Sequence, residues 1–94
     1  MENTTSLKHL ALGQTVITPN ALEQLHPDDV RAGLRRHAGC DWGEVCAEDA
    51  RANDDALLSG CRVLSVYADR KGMKFWIITE ADRSATTVLL PEDY

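Results

Sequence analysis

The chain reads as a single α+β domain, and three observations lead there. Apolar residues recur at helical spacing through the first two thirds. From Arg62 onward the period changes to two. One short β-branched run, residues 14–18, stands ahead of the helices. The expected architecture is a short N-terminal strand and helices followed by a three-stranded antiparallel β-meander.

Taken in order, residues 14–18 (QTVIT) have the composition of a strand. Thr18 can then cap a short helix over 20–25, with Pro19 at the first helical position, where no N–H is needed. His26-Pro27 repeats the signal, and Asp28 and Asp29 face the positive end of the helix dipole. Val30, Leu34 and Ala38 share one face of this helix, and Gly39 supplies a left-handed stop. Asp41 with Glu44 three residues on has the spacing of a capping box and predicts a new helical turn near Trp42. Residues 48–59 form an acidic helix with Ala50, Leu57 and Leu58 as its sparse apolar side, ended by Gly60. Beyond it Val63, Ser65 and Tyr67 alternate with Arg62, Leu64 and Val66. Phe75, Ile77 and Thr79 likewise alternate with Lys74, Trp76 and Ile78. A hairpin turn at 69–72 has Gly72 for positive φ, and the last strand, 86–90, is stopped by Pro91. Short connections pair consecutive strands antiparallel. Both faces of the meander carry apolar residues, so one should bury against helices and the other be partly covered or form a contact surface.

Length and charge bound the function. The chain has 94 residues, enough for one modest core, and no repeat or linker divides it; the first ten residues read as a flexible lead. No apolar run approaches the ~18 residues of a membrane span, and the N-terminus lacks the basic start and apolar stretch of a signal peptide, so a cytoplasmic location is expected. Three cysteines, an odd number, fit a reducing compartment. A formal charge of −5 argues against direct binding to nucleic acid and suits a protein partner with a basic surface. No cofactor is called for.

Several groups could carry chemistry. His37 could act as a general acid or base, or could simply close a helix C-terminus against the core. Trp42, between Asp41 and Gly43, could wall a binding site, though core packing is the simpler reading. Cys40, Cys46 and Cys61 lack the spacing of a metal site, so no metal is expected. Thr79, Glu80, Asp82, Arg83 and Ser84 make an unusually polar turn. Arg83 could hold a phosphate or carboxylate there, or the cluster could lock the turn by ion pairs and backbone hydrogen bonds. With His37, Ser65, Tyr67 and Thr86 as further catalytic candidates, Arg83 would suit a small ribonuclease-like enzyme or toxin. Against this stands the acidic run Asp41, Glu44, Glu48, Asp49, Asp54 and Asp55, opposed only by Arg51, whose net −5 equals the formal charge of the whole chain. Glu44, Glu48, Asp49, Asp54 and Asp55 could imitate a row of phosphates and occupy a basic nucleic-acid groove; a merely solvated helix face is the plainer alternative.

The segments LGQTVITPNALEQL, HAGCDWGEV, EDARANDDAL and RVLSVY…FWIITEADRSATTVLLPEDY resemble a family of small uncharacterised, plasmid-related proteins encoded on bacterial plasmids, integrative elements and phages. The resemblance covers nearly the whole chain from Leu12. One position departs: Cys40 stands where such proteins usually have glycine before Asp-Trp-Gly. The family brings no catalytic residues. Its mobile-element context implies an accessory role against host defence, as in anti-CRISPR or anti-restriction proteins, and so a non-enzymatic inhibitor that binds the basic surface of a nucleic-acid-handling complex.

Overall fold

Among residues 9–94, which the computed structural model describes, the order is β1 (Gln14–Ile17), α1 (Pro19–Gln24), α2 (Pro27–Ala38), α3 (Ala47–Ser59), β2 (Val63–Ala68), β3 (Lys74–Thr79), β4 (Ala85–Leu89) and a 3-10 turn, Pro91–Asp93. The flexible lead expected over 1–10 lies mostly outside the described residues. Leu10 corrects it at its end: the side chain is buried and the N–H donates to the Ala38 carbonyl at 2.9 Å.

β2, β3 and β4 form the expected antiparallel meander. The sheet does not stop there, because β1 pairs parallel with β4, giving a four-stranded mixed sheet in the order β1-β4-β3-β2. The intervening helices supply the long crossover that a parallel pair requires. Gly13 makes the approach possible: at φ +62°, any Cβ there would lie 2.4 Å from the Arg83 carbonyl oxygen. The Gln14 and Thr18 N–H groups then bond the Ser84 and Val88 carbonyls, each at 3.0 Å, clasping both ends of the strand.

The helix starts follow their caps. Thr18 Oγ1 accepts the Ala21 N–H at 3.1 Å, and His26 Nδ1 accepts the Asp28 N–H at 3.1 Å. The end of α2 differs from the sequence reading. Gly39 keeps a negative φ of −87°, and the left-handed residue is Cys40, at φ 66°. Cys40 N–H bonds the His37 carbonyl at 3.0 Å and Asp41 N–H bonds the Arg36 carbonyl at 2.8 Å, which is a Schellman closure with cysteine where glycine is usual.

No helical turn starts at Trp42. Asp41 Oδ1 does accept the Gly43 N–H (3.2 Å), but the chain then runs beside β2: Val66 N–H donates to the Trp42 carbonyl at 3.1 Å and Glu44 N–H to the Val66 carbonyl at 2.7 Å. Gly43, at φ +76°, is required by this contact, since a Cβ would sit 2.0 Å from the Val66 oxygen. In α3 the inward residues include Asn53 and Ala56, whereas Leu58, assigned above to the apolar side, is 94% exposed.

Two apolar clusters fill the helix side of the sheet. Ala21 and Leu25 meet Tyr67, Phe75, Ile77 and Val88 in one; Leu10, Trp42, Ala56 and Val63 form the other. On the opposite face Trp76 meets the C-terminal Tyr94 edge-on at 5.5 Å. Asp93 ties this end down by accepting from Thr18 Oγ1 (2.7 Å) and Asn20 Nδ2 (3.2 Å). Among the described residues no helix is long and apolar enough to cross a membrane.

Candidate functional site

The structure divides the acidic run. Glu48 and Asp49 stand in the first turn of α3, where carboxylates favour the dipole, and Asp55 lies two turns on; all three are exposed, and none has an ion pair among the described residues. Asp54 turns inward and accepts the Trp42 Nε1–H at 3.0 Å. Glu44 precedes the helix and is paired with Lys74, and Asp41 chelates Arg36 at 2.7 and 3.3 Å. The Arg36 guanidinium holds the Asp41 carboxyl below the usual carboxylate range. What remains outward on α3 is Glu48, Asp49 and Asp55, with Arg51, Ala52 and Leu58.

The catalytic candidates have a different fate. His37, Ser65 and Thr86 do come together, joined by Thr79 of the expected turn cluster, but at 0% exposure each. Thr86 Oγ1 donates to the Leu12 carbonyl at 2.7 Å. Its single proton being used, the Thr79 hydroxyl must donate to Thr86 (2.7 Å). His37 Nε2–H must then donate to Thr79 (2.8 Å), while Nδ1 lies 2.6 Å from Ser65 Oγ. Burial pushes the imidazole down to about 4 from its ordinary 6.5, so near neutral pH it is uncharged and, with its proton on Nε2, accepts from Ser65 at Nδ1. Every link is satisfied within the protein, and Trp42 closes the ring's flank edge-on at 5.8 Å. A histidine held this way ties α2 to β2, β3 and β4; it has no path to a substrate.

Tyr67 is also committed to structure. Its hydroxyl donates to the Asp41 carbonyl at 2.6 Å, Arg36 lies over its ring at 4.7 Å, and burial raises the phenol to about 12. The turn cluster separates too. Thr79 is the buried last residue of β3, not part of the turn. Asp82 Oδ1 accepts the Ser84 N–H at 3.0 Å, and the Ser84 hydroxyl, together with that N–H, holds its carboxyl below the usual range. Arg83 has φ 62°, and its guanidinium donates to carbonyls in place of the expected carboxylates: Ala56 at 2.8 Å, Cys61 at 2.6 Å and Glu80 at 3.2 Å. It thus caps the C-terminal end of α3 and joins it to the β3–β4 turn.

Among the described residues no disulfide joins the cysteines, and no group of histidine, cysteine and carboxylate side chains is placed to hold a metal ion. One functional side chain escaped the sequence reading. Buried Asn53 clamps the backbone of β2, donating to the Leu64 carbonyl (2.8 Å) and accepting the Leu64 N–H (3.3 Å). Its signal was present: Asn53 falls three residues after Ala50 and four before Leu57, on the apolar side of α3. Comparison with protein-family models, with curated proteins and with solved structures finds no match to this chain.

Proposed function

We propose that this protein is a non-catalytic binding module whose acidic α3 face engages a basic surface on a nucleic-acid-handling protein complex. The observation that carries this reading is an imbalance. Asp28, Asp29, Asp41 and Glu44 are compensated by Arg31, Arg70, Arg36 and Lys74, whereas Glu48, Asp49 and Asp55 stand exposed on one helix without an ion pair among the described residues. Such a face draws a cationic partner and speeds encounter, and the exposed Leu58 beyond the acids adds an apolar foothold. The resemblance to plasmid-, integrative-element- and phage-encoded proteins makes a host-defence complex of the CRISPR or restriction type the partner we favour, and inhibition the consequence. The sealed hydrogen bonding of His37 speaks against the ribonuclease alternative.

Capture of tagged wild type and of the Glu48→Lys/Asp55→Lys double variant from host lysate, at low and at high salt, tests it. A basic complex should be recovered by the wild type and lost by the variant at low salt, with the difference shrinking as ions screen charges beyond about 8–10 Å. Equal recovery by both proteins would remove α3 as the contact surface.

A further inference from the structure

The two edges of the sheet are treated differently. At β2 the outward backbone groups of Leu64 are taken by Asn53 and those of Val66 by Trp42 and Glu44. At β1 the alternation of a parallel ladder turns the Gln14, Val16 and Thr18 backbones toward β4, so those of Thr15 and Ile17 point outward. Among the described residues nothing meets them. Beside this open edge lies a groove of about 250 Å³ walled by Ile17, Leu22, Leu25, Val30 and Leu34, with Leu22 63% exposed. The charged residue in its wall is Arg31, already shared with Asp28, and Arg35 stands exposed one helical turn further along the same face.

We infer that β1 and this groove form a second docking site, which accepts an extended acidic–apolar segment of a partner protein as a fifth strand. The unpaired N–H and C=O groups of Thr15 and Ile17 call for an extended backbone. The groove then receives the alternate apolar side chains of the added strand. Exposed Arg35, without an ion pair among the described residues, and the Arg31 N–H groups that Asp28 does not take select acidic residues beside them. This site goes beyond the α3 reading: it lies on the other edge of the sheet from β2, against which α3 packs, and takes the opposite charge.

Selection of displayed random linear peptides on the wild-type protein, with counter-selection on blocked variants, decides the matter. Thr15→Pro removes an outward donor without touching the ladder, and Leu22→Lys fills the groove mouth from an exposed position. Enriched peptides should alternate apolar residues and carry acids. They should bind each blocked variant at least about tenfold more weakly, as expected for one lost hydrogen bond or apolar contact, and should fail when N-methylated along one edge. Reversal at Arg31→Glu should shift the enriched charge from acidic to basic. Any of three results overturns the proposal: no enrichment over background, enriched peptides that bind both blocked variants unchanged, or a wild-type homodimer that Thr15→Pro dissociates, which would make a second copy the occupant.

Discussion

His37 illustrates how a residue chosen for chemistry can be consumed by structure. Its folded pKa, about 4, lies below the 6.5 of the free group, so the unfolded chain takes up a proton in that interval and the native protein does not. Stability is therefore complete above pH 6.5 and falls as pH drops toward 4, by about 3 kcal/mol over the interval. Urea denaturation at stepped pH should show this slope, and His37→Gln should flatten it; an unchanged slope in the variant would place the titration elsewhere. The sequence singled out His37, Ser65 and Thr86 as companions but could not say that they meet in the interior. Their meeting, with Thr79 as the link to Thr86, depends on strand register that brings His37 to Ser65 across 28 and to Thr79 across 42 positions of chain. Cys40 gives a second test at this scale. Its left-handed φ strains any residue with a Cβ by about 1–2 kcal/mol. Cys40→Gly should raise the melting temperature despite losing a half-buried thiol, and Cys40→Val should lower it.

Among the elements, helix starts were legible because Thr18-Pro19 and His26-Pro27 state them locally. The segment 41–46 was not, since an aspartate followed three residues later by glutamate fits both a capping box and the Asx-type bond that forms. The choice falls to Gly43, whose lack of a side chain admits the Val66 carbonyl from a distant strand. Gly43→Ala should accordingly cost more than about 3 kcal/mol, or prevent folding, as measured by thermal and urea unfolding. The polar turn at 80–84 was legible as special but not in its object, because the Arg83 guanidinium serves α3 and its own hairpin together. Arg83→Ala should lose about 1–2 kcal/mol. Arg83→Gly should lose less, since it forfeits the same hydrogen bonds but relieves the left-handed backbone. If glycine is the worse substitution, backbone strain at this turn is not significant.

At the scale of the molecule, the meander and the helix layer were readable from periodicity, but the fourth strand's partner was not. Four residues of β-branched composition do not announce which edge they will join, and Gly13 is an inconspicuous sign of the close approach that decides it. The resulting asymmetry has a measurable counterpart. Asn53→Ala frees the Leu64 backbone, while Val66 stays bonded to Trp42 and Glu44, so the β2 edge is opened in part. Light scattering well below the variant's melting temperature should then report growing, concentration-dependent assemblies, where the wild type stays at a fixed size. Sealing of β2 thus gives the fold a valence of one for strand addition. Two copies joined through β1 would leave only their sealed β2 edges outward and so form a closed pair instead of a filament. One margin is thus left adhesive in a fold whose other margin is closed to its own copies.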